Sequence, residues 1–365
     1  MELSMSNRLF VGTRKGLFTL ENSGGSWSVA RSDFVGDNVT MFLADQRDGW
    51  LYTGLNLGHF GCKMHRSADG SSWEECAVPV YPVVEDADEK ETAPSLNEIW
   101  ALETGGPDKA ELLWCGTIPG GLFRSNDRGS NWELVTSLWD REERSEWFGG
   151  GKDHPGIHSI CVDPRDSQHV TVGVSCGGVW TTFDGGESWE LRATGMHAEY
   201  MPPEQAGSPN IQDPHLIVNC QAQPDCFWTQ HHNGVFRTTD DCQSWHAIPA
   251  AKPSGFGFPV AVHPQDPQTA WFVPAVKDEC RVPVDGKVVV SRTNDGGKSF
   301  EVFNEGLPGP DAYDIVFRHC LAISSDGDRL AMGSSTGSLW VSDGSGESWQ
   351  TISNHLPQIY CVRFG

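Results

Sequence analysis

The chain has 365 residues and a formal net charge of −23, from 26 Lys and Arg against 49 Asp and Glu. This acidity argues against nucleic acid or an anionic membrane as a partner, because both bind through clustered cations. No apolar run approaches the roughly 20 residues that span a bilayer. The start, MELSMSNRLFVGTRKG, lacks a basic segment followed by an apolar one, so we expect no signal peptide and a cytoplasmic protein. The 11 cysteines include no CxxC pair and are expected to be reduced thiols.

One motif recurs along the chain, an aromatic strand followed by Ser/Thr-x-Asp-x-Gly-x-Ser-Trp. Its clearest copy is Thr182, Asp184, Gly186, Ser188 and Trp189. The copies close at the aromatic residues Trp27, Trp73, Trp132, Trp189, Trp245, Phe300 and Trp349. The Asp accepts hydrogen bonds from turn amides, the Gly permits a left-handed backbone and the aromatic ring packs beneath. The motif is therefore a structural hairpin turn, and its roughly 50-residue period indicates a radial array of four-stranded sheets.

The runs between these turns predict four strands per blade, A to D, from the axis outward. Blade 1, at Leu9–Val29, contains strands B, C and D but no strand A. Strand A of blade 2 starts near Asn38, and those of blades 3 to 7 are Leu96–Leu102, His158–Asp163, His215–Gln221, Phe258–His263 and Ile315–Ile323. The C-terminal run Ile359–Arg363 can supply the missing strand. We therefore predict an all-β, seven-bladed β-propeller, a single domain over 1–365, closed by pairing of the two chain ends.

The repeat pattern resembles the Asp-box, or BNR-repeat, β-propellers. Stretches such as NLGHFGCKMHRS, HPGIHSICVDP and QDPHLIVN are similar to those of a bacterial group often labelled glycosyl hydrolase or exo-α-sialidase. The resemblance implies the propeller fold over nearly the whole chain and is not specific for function, because propellers host many activities. It does not extend to sialidase chemistry, because the Arg-Ile-Pro motif of true sialidases is missing and the strand starts carry His and Asn more than Arg. We therefore do not expect sialidase activity.

In this topology the Asp-box turns and the A–B turns lie on one face, and the D–A and B–C connections lie on the other. The D–A loops at 79–94, 138–157 and 195–214 are long, as is the B–C segment Val276–Gly286. Long loops on a rigid scaffold are where function concentrates. We refer to this side as the long-loop face and expect the functional site there.

Histidines on the long-loop face favour a metal site. We predict that His158, His215 and His232, with His59, hold a divalent transition metal such as Zn²⁺ or Mn²⁺. Neutral imidazoles suit these ions, and three protein ligands leave a position for water or substrate. The alternative is that these histidines are hydrogen-bonded residues that line a polar channel.

Charged residues on the same face are candidates for catalysis beside a metal-bound water. We predict Glu279, Arg281 and Asp314 in this role, although Glu279 and Arg281 could equally belong to a solvated loop. The preferred function is a metal-dependent hydrolase or lyase that acts on a small polar or carbohydrate-like substrate. Two alternatives stay open: a non-catalytic scaffold for protein interaction, and a metal-free glycosidase whose two carboxylates are roughly 5 or 6.5–9.5 Å apart.

Overall fold

The computed structural model describes residues 7–82 and 94–365, so most of the predicted loop at 79–94 lies outside the described residues. The strands are β1 (Arg8–Thr13), β2 (Gly16–Ser23), β3 (Ser26–Asp33), β4 (Val39–Ala44), β5 (Leu51–Asn56), β6 (Cys62–Ser67), β7 (Glu74–Cys76), β8 (Glu98–Thr104), β9 (Leu113–Ile118), β10 (Leu122–Ser125), β11 (Glu133–Leu134), β12 (Ile157–Asp163), β13 (Asp166–Val174), β14 (Gly178–Thr182), β15 (Glu190–Leu191), β16 (Pro214–Cys220), β17 (Gln223–His231), β18 (Gly234–Thr238), β19 (His246–Ala247), β20 (Gly257–His263), β21 (Asp266–Pro274), β22 (Val290–Thr293), β23 (Glu301–Phe303), β24 (Leu321–Ile323), β25 (Leu330–Gly333), β26 (Leu339–Ser342), β27 (Gln350–Ser353) and β28 (Ile359–Phe364). The helical segments are α1 (Thr136–Trp139) and the 3-10 turns Gly58–Phe60, Glu142–Glu146, Pro209–Ile211, Val284–Gly286 and Arg318–Cys320. None of the helices in the described ranges is long and apolar enough to cross a bilayer.

These strands form seven four-stranded antiparallel sheets arranged as a propeller. Blade 1 has the order β28-β1-β2-β3, and the successive quartets from β4 to β27 form blades 2 to 7. The innermost strands β28, β4, β8, β12, β16, β20 and β24 surround the axis, and each contacts the next. Strand β28 pairs with β1 at Leu9↔Phe364 and Val11↔Val362. The predicted seven-bladed, all-β fold and its closure by the C-terminal strand are confirmed.

The repeated turns are saturated with hydrogen bonds. In the clearest copy, the Asp184 carboxylate accepts hydrogen bonds from the Thr182 hydroxyl (2.7 Å), the Ser188 backbone N–H (2.9 Å) and the Ser188 hydroxyl (2.6 Å). The Gly186 N–H donates to Thr182 Oγ1 at 2.9 Å, and Gly186 has a φ of 96°, which only glycine adopts without strain. Between the blades, the core buries the indoles of Trp114, Trp180, Trp228, Trp271 and Trp340.

Blade 7 departs from its predicted inner strand. The prediction was a strand over Ile315–Ile323, but the chain forms the 3-10 turn Arg318–Cys320 before the short β24. The Cys320 N–H donates to the Phe317 carbonyl at 3.0 Å and closes the turn. His319 Nε2 donates to the His158 carbonyl of blade 4, on the opposite side of the ring, at 2.8 Å. The turn therefore crosses the axis.

Candidate functional site

Asp213, His215 and His232 converge on the long-loop face of blade 5. Their ligand atoms all lie within 4.8 Å of one another. Asp213 Oδ2 is 3.5 Å from His215 Nε2 and 3.4 Å from His232 Nδ1. Ligand atoms about 2.0–2.1 Å from a tetrahedral zinc are about 3.3–3.4 Å apart. These two spacings therefore match those between the ligands of a tetrahedral metal site, and they are longer than those of strong hydrogen bonds.

Local strand pairing produces this convergence. Pro214 at the start of β16 pairs with His231 at the end of β17, so the residues that flank this pair are neighbours. The His232 N–H donates to the Asp213 carbonyl at 3.0 Å, and the Asp213 N–H donates to His231 Nε2 at 3.2 Å. His215 lies two residues after Asp213, at a register shift between Pro214 and Leu216.

The hydrogen bonding of His215 fixes which nitrogen faces the carboxylate. His215 Nδ1 lies 2.6 Å from the Gly257 carbonyl, which can only accept, so Nδ1 carries a proton. Burial lowers the pKa of His215, which favours the neutral ring, while the Asp213 carboxylate acts to raise it. The other ring nitrogen, Nε2, faces Asp213 Oδ2 at 3.5 Å. A backbone carbonyl that holds a ligating histidine in this way is a common feature of metal sites.

Asp213 is itself buried, with 2% of its side chain exposed. Burial acts to raise the pKa of Asp213, but His215, His232 and Arg318 hold it well below its usual range. The Asp213 Oδ1 atom accepts a hydrogen bond from the Cys176 N–H at 3.2 Å. The group is therefore a carboxylate with one oxygen occupied by the backbone and the other directed at the two imidazoles.

Aromatic rings and a glycine enclose the cluster. Phe258 stacks on His215 with ring centroids 4.8 Å apart, and Tyr200 meets His232 edge-on at 5.0 Å. A Cβ atom on Gly150 would lie 2.9 Å from Asp213 Oδ2 and 2.8 Å from Ser175 Oγ. The chain therefore passes over the carboxylate only because residue 150 has no side chain.

The structure brings together two of the four histidines predicted as ligands, His215 and His232. His158 is buried, with Nδ1 2.8 Å from Ser159 Oγ and with Nε2 unpartnered, and it is not part of the cluster. His59 lies exposed in the 3-10 turn Gly58–Phe60, also outside the cluster. The ligand roles of these histidines stay predictions. Sequence reasoning missed Asp213, although the order Asp-Pro-His at a strand start carries the necessary spacing.

A separate cavity of about 360 Å³, which we call the mouth pocket, lies on the axis at the long-loop face. It is lined by Asn38, Thr40, Glu98, Trp100, Gly150, Gly151, Lys152, Phe258, Arg281, Phe317, Arg318, His319, Gln358 and Tyr360. Gly150 and Phe258 belong both to this lining and to the enclosure of the cluster. The two sites therefore share a wall, and the cluster is otherwise reached from the side of His232, whose side chain is 20% exposed.

The three predicted catalytic residues have different surroundings. Arg281 lines the mouth pocket and forms an ion pair with Asp278. Glu279 is exposed, 3.4 Å from Lys277 Nζ, and it is not part of the pocket lining. Asp314 also lies outside the lining and accepts hydrogen bonds from the hydroxyls of Ser334 and Thr336. Their catalytic roles stay predictions.

Comparison with known proteins finds distant relatives, and no protein-family model matches the chain. The chain is 25% identical over 288 residues to a probable oligoxyloglucan-reducing end-specific xyloglucanase of Neosartorya fischeri. It is also 25% identical over 287 residues to an oligoxyloglucan-reducing end-specific xyloglucanase of Emericella nidulans. Each match covers 71% of this chain and 33% of the relative. The chain therefore spans about a third of the length of these curated relatives.

Solved structures share the fold. An ancestral GH74 enzyme superposes with a TM-score of 0.59 at 17% identity, over 87% of this chain and 38% of that one. A functionally unknown protein from Desulfotomaculum acetoxidans gives 0.60 at 10% identity and covers 98% of both chains. YCF48 bound to D1 peptide gives 0.53 at 15% identity, over 93% of this chain and 94% of that one. The comparisons show a propeller of the kind found in glycoside hydrolases and in other proteins.

Proposed function

We propose that this protein is an Asp-box propeller that acts as a metal-dependent hydrolase or lyase on a small carbohydrate-like substrate. The observation that carries the proposal is the convergence of three ligand atoms, with Asp213 Oδ2 3.5 Å from His215 Nε2 and 3.4 Å from His232 Nδ1. A divalent cation at this point would be within reach of all three atoms. The names of the distant relatives support a saccharide as the substrate.

Two imidazoles and one carboxylate suit Zn²⁺ or Mn²⁺. Three protein ligands leave at least one position open for water or substrate. A metal held there supplies a Lewis acid and lowers the pKa of its bound water to about 7. This chemistry serves hydrolysis, through the activated water, or elimination, through stabilisation of negative charge on the substrate.

The alternative of a metal-free glycosidase needs two facing carboxylates. Among the described residues, the mouth pocket has one acidic lining residue, Glu98, and its carboxylate lies 2.9 Å from Lys152 Nζ. The alternative of a non-catalytic scaffold predicts a surface without convergent polar groups. The cluster at Asp213 therefore supports the metal-dependent function over both.

The test is activity of chelated and metal-loaded protein on a panel of neutral and acidic oligosaccharides. Reducing ends report hydrolysis, and ultraviolet absorbance of an unsaturated product reports elimination. We expect Zn²⁺ or Mn²⁺ to restore turnover to the wild type and to Glu199→Gln, an exposed carboxylate on the same face. Asp213→Asn should lose at least about 100-fold in turnover. Full activity of chelated protein or of Asp213→Asn would contradict the proposal.

A further inference from the structure

We infer that the mouth pocket binds the carboxylate of an acidic sugar through Arg318. The inference deepens the proposed function by naming a substrate class, and it rests on that function for the saccharide. The anion site is argued from the surroundings of Arg318 and does not require a metal in the cluster, although Asp213 and Arg318 act on each other electrostatically.

Among the described residues, Arg318 has no ion-pair partner, and the Asp213 carboxylate acts on it only from a longer distance. Its Nε and Nη2 atoms are buried and have no hydrogen-bond partner. Across the described ranges, no carboxylate comes within ion-pair distance of its guanidinium. An arginine can only donate hydrogen bonds and stays charged at any physiological pH, so burial without an acceptor costs free energy. A bound anion would supply the missing acceptor.

The fold places this cation at the floor of the mouth pocket. The 3-10 turn at Arg318–Cys320 carries it into the axis, where its guanidinium carbon lies 4.9 Å from the Trp100 ring centroid and 5.5 Å from that of Phe258. The unpartnered Nε and Nη2 atoms together form one edge of the guanidinium. A carboxylate offers the matching two-oxygen geometry.

The other two cations of the pocket are already neutralised. Lys152 Nζ lies 2.9 Å from Glu98, and Arg281 forms an ion pair with Asp278. Arg318 is therefore the cation of the described lining that has no ion-pair partner, in a protein whose net charge is −23. A single such cation in so acidic a chain favours a site for one anionic group over a general anion-binding surface.

The walls of the pocket favour a sugar ring on that anionic group. Trp100, Phe258, Phe317 and Tyr360 provide apolar faces, and Asn38 and Gln358 are polar lining residues. Small-molecule sites combine such apolar walls with a few polar groups, within roughly 300–1,000 Å³. The cavity, at about 360 Å³, is at the small end of this range and fits a monosaccharide or a short fragment of an oligosaccharide.

The test is calorimetric titration of chelated, metal-free protein with D-glucuronate, D-glucose and acetate. Glucose lacks the carboxylate, and acetate lacks the ring. We expect glucuronate to bind at least about tenfold more tightly than either, because it alone uses both Arg318 and the aromatic walls. If glucose binds as tightly as glucuronate, the anion site is wrong. If acetate binds as tightly as glucuronate, the sugar ring contributes nothing and the substrate class is wrong.

The decisive variant is Arg318→Met, with Arg237→Met as its matched control. Arg237 also has unpartnered Nε and Nη2 atoms and lies over an indole, Trp228, at 5.1 Å, but it does not line the pocket. We expect Arg318→Met to lose the preference for glucuronate over glucose and Arg237→Met to keep it. Unchanged preference in Arg318→Met would overturn the inference.

Two further measurements separate loss of binding from loss of fold and from failure of the metal hypothesis. The thermal midpoint of Arg318→Met should equal or exceed that of the wild type, because an unpaired buried charge is removed. Should Arg318→Met unfold, Arg318→Lys keeps the charge without the planar fork and should weaken glucuronate binding severalfold. Asp213→Asn should keep the preference for glucuronate over glucose, because it removes a negative charge near Arg318 and leaves the arginine in place, so the anion site and the proposed activity can fail separately.

Discussion

The two faces of the propeller use their aspartates in different ways. On the face of the repeated turns, both carboxylate oxygens of Asp184 are hydrogen-bonded within the turn. On the long-loop face, one oxygen of Asp213 accepts a hydrogen bond from the Cys176 N–H, and the other lies 3.5 Å from His215 Nε2 and 3.4 Å from His232 Nδ1. The Asp184 carboxylate therefore stabilises a turn, whereas the Asp213 carboxylate has an oxygen placed to hold a cation together with two imidazoles.

Removal of a cluster residue should have the largest effect. We expect His215→Ala to lower Zn²⁺ affinity by at least about 100-fold, because the loss of a direct ligand exceeds the 10- to 100-fold typical of outer-shell changes. Competition with a chromophoric chelator measures it. His59→Ala, outside the cluster, should leave the affinity unchanged. Equal losses in both variants would contradict the position of the centre.

A smaller effect is expected at the shared wall. Gly150→Ala places a Cβ atom against Asp213 Oδ2, so it should displace the carboxylate and reduce Zn²⁺ affinity about tenfold. The control is Gly207→Ala, because a Cβ there meets nothing within 4 Å. The same chelator competition measures both variants. An unchanged Zn²⁺ affinity in Gly150→Ala would contradict a role for the close contact between residue 150 and Asp213 in the metal site.

A change in the Asp184 turn should alter the stability of the fold and leave metal binding unchanged. Asp184→Ala removes several hydrogen bonds from one turn and should lower the free energy of unfolding by about 1–2 kcal/mol. Urea denaturation gives this value, and Zn²⁺ affinity should stay within about twofold of the wild type. A large loss of Zn²⁺ affinity with little change in the free energy of unfolding would contradict the structural role of Asp184.

The smallest effect concerns pH. Hydrogen bonds from Ser188 and Thr182 lower the pKa of Asp184 from 3.8 to about 2. A depressed pKa stabilises the fold above the unfolded value and loses that contribution as pH falls through the folded value. The advantage of the wild type over Asp184→Ala should therefore be constant from about pH 7 to 5 and shrink between about pH 4 and 2. Urea denaturation across this range checks it, and a pH-independent difference would contradict it.

The fold was predictable because the repeated turn is a local structure. Its Thr, Asp, Gly and Ser residues hydrogen-bond one another within a few positions, so the sequence pattern and the structure coincide. The closure by Ile359–Phe364 followed from counting strands. The site was only partly predictable, because it depends on which strand ends face each other. His215 and His232 were recognised by residue type, whereas Asp213 was not.

The 3-10 turn at Arg318–Cys320 shows why the rest was out of reach. Its sequence is compatible with an inner strand, and its turn depends on the space at the axis and on the contact from His319 to blade 4. Arg318 likewise has no ion-pair partner in the pocket because Glu98 already pairs with Lys152 and Asp278 with Arg281. Properties of this kind belong to the assembled ring and have no local signal in the chain.

Elemental analysis of tag-free protein, purified without chelator, tests the central claim most directly. Inductively coupled plasma mass spectrometry should find about one Zn or Mn per chain in the wild type and a small fraction of that in Asp213→Ala. The variant should remain folded by circular dichroism. No bound metal after incubation with Zn²⁺ and Mn²⁺, or equal metal in both proteins, would contradict the metal centre.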